Sequence, residues 1–343
     1  MNAKMTSLHI LTLVLFIFTI LMANTQAKLI QQDTKINAGV IDELNNRDAE
    51  DIQIQDAVVS TTIQKSCKSF FAGQKPPSGF RKSTTNIRFI CQQAPGNTVN
   101  FFYSTKFDQN YGIPIYSAYV VSQAEASQFG KAKRPSATWR REKGITKQAN
   151  DATYKGTGYD KGHLVPAQTY SFTDEHMLST FTYTNAVPQA AGFNRGQWAQ
   201  YEKKIREYAT NRCSPSGGNL YLITGISEVS LKNGKSGLEA TQNTLDVLQP
   251  PGGDAISIPR SMWTAGCCIS PSKGALGAIA VIGNNDKVTS NILMSQVQIS
   301  TLQGFLLTGV KGFGGTAINL FPANPGCSNP GKWVNLLKRP ASG

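Results

Sequence analysis

The stretch Tyr159-Asp160-Lys161-Gly162-His163 decides how this chain reads, together with Asn185-Ala-Val-Pro-Gln189, Asn194-Arg-Gly-Gln-Trp198, Glu202 and Arg206. Gly162 lets the backbone come close and leaves His163 prominent on a short strand, which Pro166 ends. Asn194 opens the next strong helical pattern, where asparagine is a favoured cap. Within it Trp198, Tyr201, Ile205 and Tyr208 recur at helical spacing, which predicts a core-facing stripe over residues 194–209.

These residue types in this order suit phosphodiester hydrolysis. That reaction needs a nucleophilic water, charge stabilisation at phosphorus and help for the departing oxygen. A neutral histidine can take the proton from water, contributing about 10²–10⁴ in rate. A magnesium ion, or another divalent cation such as manganese, can polarise the phosphate and stabilise the alkoxide. Magnesium takes few protein ligands and keeps several waters, so one asparagine carbonyl backed by carboxylates is a workable site. On an ideal helix Asn194 and Glu202 would stand about 12 Å apart along the axis, on one side. Glu202 is therefore expected to act through metal-bound water, and Arg206 to pair with it or reach a phosphate oxygen. Taken singly, each residue has an ordinary alternative: His163 as a packed ring, Asn194 as a cap, Glu202 with Arg206 as a helix ion pair.

Scarcity narrows the chemistry further. His9 lies in the N-terminal segment, leaving His163 and His176 as the histidines beyond it, so a multi-histidine metal site is excluded. His176 follows Asp174-Glu175 in a predicted helix over 171–180 and has an ordinary structural setting. There is no Cys-x-x-Cys unit to hold a structural zinc and no Gly-x-Ser-x-Gly unit for a serine hydrolase. Gly234-Lys235-Ser236 lacks the first glycine of a phosphate loop and reads as a turn.

The N-terminus reads as a secretory signal peptide over 1–27, with Lys4 before an apolar run from Leu8 to Met22 and small residues near Ala27. Its removal takes away Lys4 and no acid, lowering the formal net charge of +13 by one. The remaining excess favours anionic partners. No later segment is long and apolar enough to span a bilayer, so no membrane partner is expected after cleavage. Six cysteines (Cys67, Cys91, Cys213, Cys267, Cys268 and Cys327) follow the signal, an even number that favours disulfides in an oxidising compartment. Cys267 and Cys268 should have different partners, since a vicinal bridge is strained; fifteen full pairings are possible in principle.

Residues 28–60 are polar and acidic without an aromatic side chain, and read as a disordered leader or propeptide. The globular domain is expected over 61–343, with strands near 86–91, 99–105, 114–121, 220–226 and 275–282. Strands and helices do not alternate as βαβ units, so the fold class is α+β, mainly antiparallel. The basic stretch from Lys131 to Lys161, including Arg134, Arg140 and Arg141, is either a solvated loop or a phosphate-tracking rim; its place just before the histidine favours the rim.

At these residues the chain resembles the DNA/RNA non-specific endonuclease family, whose signature Asp-Arg-Gly-His stands here as Asp160-Lys161-Gly162-His163. The downstream family pattern appears as Asn185 to Gln189 and Asn194 to Glu202. The flanks 67–71, 117–119, Arg134-Pro135 with Trp139, and 259–263 with Cys267-Cys268 resemble its secreted endonuclease domain-containing 1 branch. The resemblance covers about residues 65–335 and implies a ββα-metal (His-Me finger) site on an antiparallel sheet sandwich with helices. It also implies His163 as general base, Asn194 as the direct magnesium ligand, Glu202 ordering metal-bound waters and Arg206 on the phosphate, with Arg134 and Lys161 as further substrate contacts. The implied substrates are DNA and RNA, cut to leave 5′-phosphates; no stable protein partner is implied. Sugar indifference is physically reasonable, since backbone contacts carry little base information. Lys161 departs from the family arginine, keeping the charge but losing the bidentate fork. Two other readings compete: a non-catalytic module binding nucleic acid or sulfated glycans, and a metal phosphodiesterase acting on small nucleotides. The intact His163, Asn194 and Glu202 set argues against the first, and the basic stretch favours a polymer over the second.

Overall fold

Two adjacent residues at each step along the central strands are both buried, which requires cover on both faces of a sheet. The computed structural model describes residues 57–80, 85–136, 139–235, 237–251, 253–310 and 317–336. The expected signal peptide and most of the acidic leader lie outside them. The strands are β1 (Ala57–Ser60), β2 (Ile87–Gln92), β3 (Tyr103–Asp108), β4 (Ile113–Val121), β5 (Tyr159–His163), β6 (Ala186–Ala190) and β7 (Asn219–Ser227). They continue with β8 (Val229–Gly234), β9 (Gly237–Gln242), β10 (Asp246–Leu248), β11 (Ile256–Ile258), β12 (Ser261–Ser270), β13 (Gly274–Asn284) and β14 (Met294–Gln296). Eight form one sheet in the order β1-β2-β3-β4-β7-β12-β13-β14, with every pairing antiparallel. The expected α+β, mainly antiparallel class is what the chain adopts.

One face carries Tyr119, Leu222, Met262 and Ile279 against Trp198, Tyr201, Ile205 and Tyr208, the predicted helical stripe. The other carries Tyr116, Ile223, Trp263 and Ala280 against Leu302 and Leu306 of the helix Ile299–Val310 and against Phe321. The layering is thus helix and loop on each side of one sheet.

Disulfides join Cys67 to Cys91, Cys213 to Cys268 and Cys267 to Cys327. Neighbouring residues of a strand face opposite ways, so Cys268 staples the helical face and Cys267 the other. Chain-entropy bookkeeping gives each of the two longer loops about 4 kcal/mol.

Several boundaries differ from those expected, and three of the differences have a local cause. Residues 57–60, placed in the leader, form the edge strand β1 on β2; their small and β-branched side chains gain from pairing what their composition alone did not show. The strand expected from residue 99 starts at Tyr103, because the Asn97 side chain accepts the Val99 and Asn100 N–H groups and turns the chain there. The helix expected over 171–180 is Asp174–Ser179, capped by the Thr173 side chain. Gly234 and Gly237 pair at the tip of the β8–β9 hairpin, the turn foreseen there.

Candidate active site

Strands β5 and β6 form an antiparallel ribbon in which His163 faces Ala186 and Asp160 faces Gln189. The chain then turns directly into a helical run: Ala191–Phe193, a π-turn over Asn194–Trp198, and the helix Ala199–Tyr208. The ββα unit is therefore contiguous apart from the excursion between His163 and Ala186. Three devices hold it. The buried Asn185 side chain accepts the Val165 N–H at 2.9 Å and donates to the Val165 and Thr180 carbonyls, fixing the chain just after His163. Asn285 accepts the Ala190 N–H at 2.7 Å and donates to the Pro188 and Pro259 carbonyls, tying β6 to the end of β13. Gly162 permits the close crossing of the ribbon: a Cβ there would overlap Gln189.

Asn194 does not cap the helix. Ala190 occupies the cap position, and Asn194 lies inside the run at φ −57°, ψ −53°. Its amide Nδ2 donates to Asp160 Oδ2 at 2.9 Å instead of the side chain serving a helical N–H. An asparagine beside a carboxylate must present its NH₂, so the carbonyl Oδ1 is kept off Asp160. Gly196, at φ −98° and ψ −113°, breaks the regular helix between Asn194 and Glu202, so the ideal spacing along one axis does not apply.

A cleft of about 420 Å³ is lined by Arg134, Lys161, His163, Asn194 and Glu202, five of the six expected site residues. The His163 ring packs on Trp139 (4.8 Å between centroids) and Phe181 (5.2 Å). The ring is partly exposed, yet Nε2 is buried without a hydrogen-bond partner among the described residues. Burial, reinforced by the positive charges of Arg134 and Lys161, pushes its pKa down to about 3. The imidazole is thus neutral at ordinary pH, the form a general base needs. Burial pushes the Glu202 carboxyl up to about 7, against the pull of Arg206.

Arg206 stands a layer back among the described residues. Its Nη1 approaches the Thr169 hydroxyl at 3.4 Å, and its charge acts on Glu202 and Tyr119. The guanidinium of Arg134 lies 5.3 Å from the centre of the Phe181 ring. Lys161 reaches Asp151 Oδ1 at 2.7 Å and sits 5.2 Å from the centre of the Trp139 ring. Tyr183 donates to the same Asp151 oxygen at 2.6 Å.

The basic stretch divides when placed in space. Arg140 donates to the Leu178 and Gln93 carbonyls and so serves the fold rather than a phosphate rim, while Arg141 makes an exposed pair with Asp254. Lys147 donates to the Asn110 carbonyl. Lys131, Lys133, Lys143 and Lys155 are exposed. His176 packs against Phe102, Tyr170 and Phe172 and contacts Glu125 at 3.4 Å, a structural setting.

Two cleft residues had no assigned role in the sequence reading. Asp160 binds both Asn194 and Arg195, and those hydrogen bonds hold its carboxyl below the usual range although burial works to raise it. Arg195 shares the cleft wall with Asn194. The signal for Asp160 was its place in the pentad; that for Arg195 was its adjacency to Asn194.

Among the described residues no three His, Cys, Asp or Glu side chains cluster to hold a metal. A hydrated divalent ion fits the donor set all the same: one oriented amide carbonyl, with Glu202 and His163 lining the same cleft.

A sequence model of the DNA/RNA non-specific endonuclease family matches residues 82–313. Among curated proteins, the mitochondrial Nuclease 1 of Schizosaccharomyces pombe is 34% identical over 138 residues, covering 39% of this chain and 41% of that protein. A nuclease of Nostoc sp. is 26% identical over 182 residues, covering 52% and 57%. Human mitochondrial endonuclease G is 33% identical over 78 residues, covering 23% and 25%. The matched segments therefore span less than two thirds of each of these relatives. A solved structure of EndoG in complex with EndoGI superposes with a TM-score of 0.51 at 18% identity, covering 68% of this chain and 87% of that one, a likeness of fold.

Proposed function

This chain belongs to the DNA/RNA non-specific endonuclease family, and from that premise we propose that it is a secreted, divalent-metal-dependent endonuclease that hydrolyses DNA and RNA. The observation that carries the reading is the cleft in which His163, held neutral by burial and by the charges of Arg134 and Lys161, stands with Asn194 and Glu202.

In this reading the neutral imidazole of His163 takes the proton from the attacking water. Asn194 Oδ1, held off Asp160, would bind the magnesium ion, and Glu202 would hold the waters around it. When bound, the ion supplies charge stabilisation at the phosphate and at the departing oxygen. Arg134 and Lys161 supply positive charge along the wall, and Arg206 holds Glu202 toward its ionised form. Trp139 and Phe181 pack on the imidazole and fix its orientation. The expected products carry 5′-phosphates.

Secretion is supported by the N-terminal apolar run and by three disulfides that a reducing compartment would not maintain. The test is incubation of the secreted protein with plasmid, single-stranded DNA and RNA, with magnesium and with chelator, beside His163→Ala and Asn194→Ala. Degradation by wild type alone, abolished by chelator, is expected. Binding without cleavage across salt and metals would instead support the non-catalytic reading. Preferential turnover of mononucleotide esters would support the small phosphodiesterase.

A further inference from the structure

Arg195 is exposed, yet it is held in one orientation. Asp160 Oδ2 accepts from its Nε at 2.9 Å and Oδ1 from its Nη2 at 2.6 Å, a fork-to-fork pair. The Asp160 side chain is 19% exposed and the Arg195 side chain 74% exposed, so the anchor is shielded while the cation faces solvent. Asp160 also fixes Asn194, the adjacent residue, through Nδ2. Both residues line the cleft with His163.

A guanidinium carries five N–H donors. The pair with Asp160 uses one on Nε and one on Nη2, leaving three: two on Nη1 and one on Nη2. These can meet an anion without breaking the pair. Lys161, another cation of the cleft wall, is arranged differently. Its ammonium is engaged by Asp151, whose side chain is 70% exposed, an ion pair that water and salt weaken readily. Of these two cations Arg195 is a fixed fork and Lys161 an exchangeable charge; Arg134 is a third cation of the same wall.

We propose that Arg195 is a substrate-contact residue, a pre-oriented clamp for a backbone phosphate of the nucleic acid next to the one being cut. The inference rests on the nuclease reading above. Its ligand is a phosphodiester oxygen, a group shared by every base and by both sugars, so a contact there carries no base or sugar preference. The Asp160 carboxylate sets the clamp's distance from Asn194, so phosphate register and metal position derive from one side chain.

The test is initial-rate kinetics on a labelled duplex oligonucleotide with magnesium at several salt concentrations, for wild type, Arg195→Gln and Arg195→Lys. Arg195→Gln is expected to raise KM about tenfold or more. It should leave kcat within about threefold and half-saturating magnesium unchanged, since the proposal removes binding alone. Its slope of log KM against log salt should be shallower by about 0.9, one phosphate contact. Arg195→Lys should retain the wild-type salt slope with a smaller rise in KM. An Arg195→Gln variant with unchanged KM and salt slope overturns the proposal. A variant with altered magnesium dependence and an unchanged slope also overturns it, because Arg195 would then act only through Asp160 and Asn194. A wild type that cleaves nothing defeats the nuclease reading itself, a result distinct from either of these.

Discussion

His163→Phe keeps an aromatic ring between Trp139 and Phe181 while removing the titrating nitrogen, and its effect on stability should depend on pH. The folded-state pKa of His163 is about 3, below the ordinary 6.5. The unfolded chain therefore takes up a proton below pH 6.5 that the native state refuses. The contribution is intact above 6.5 and is lost as pH falls toward 3, at about 1.4 kcal/mol per pH unit. At pH 5 the wild type should have lost about 2 kcal/mol through this ring. Glu202 works in the opposite sense: its folded value of about 7 lies above the ordinary 4.5. Its contribution is intact below 4.5 and lost as pH rises through 7. Between 4.5 and 6.5 the two slopes oppose each other, so the wild type hides both. In His163→Phe only the Glu202 slope remains, and the variant should gain about 2 kcal/mol on wild type between pH 7.5 and pH 5. Urea unfolding with intact disulfides and chelator present measures this directly, since a bound cation would itself bias Glu202. A stability difference that stays constant across that range would refute the buried, neutral assignment of His163.

Other substitutions test neighbouring parts. Gly162→Ala places a Cβ into Gln189 and should cost about 1–3 kcal/mol; thermal unfolding reads the cost, and activity should fall more steeply than stability because His163 is the next residue. Asp151→Asn releases Lys161 from an exposed pair, so KM should fall while urea unfolding shows a stability change under about 1 kcal/mol. Cys213→Ser with Cys268→Ser should cost about 2–5 kcal/mol by urea unfolding, with the greater loss of order at the helical face of the sheet, as amide exchange would show.

The parts legible in the sequence were those built from local pattern. The pentad and the stripe of Trp198, Tyr201, Ile205 and Tyr208 lie on β5 and on the helical run the motif led to expect. Strand β12 was not legible as a strand, although it is central: Ser261–Ser270 is buried almost throughout, and burial on both faces erases the alternation that marks a half-exposed strand. The arrangement of Asp160 with Arg195 and of Asn285 with Ala190 joins residues far apart in sequence, so no local signal could show it. Asn194 misled because its residue type suits a cap, while tertiary contact with Asp160 claimed its side chain. Arg140 misled in the same way: within a basic run, a guanidinium bonded to buried carbonyls reads the same as a solvated one.

The bridge pattern has a consequence for how the molecule comes apart under proteolysis. A cut between Cys67 and Cys91 is spanned by their bond, and a cut anywhere from Cys213 to Cys327 is spanned by at least one of the other two. No disulfide spans a cut between Cys91 and Cys213, the interval that holds every cleft residue from Arg134 to Glu202. A nick at the β8–β9 tip leaves the fragments covalently joined, whereas one at an exposed lysine such as Lys143 or Lys155 separates the chain into two unlinked pieces. The segment carrying the chemistry is thus the one a trypsin-like protease can sever for good.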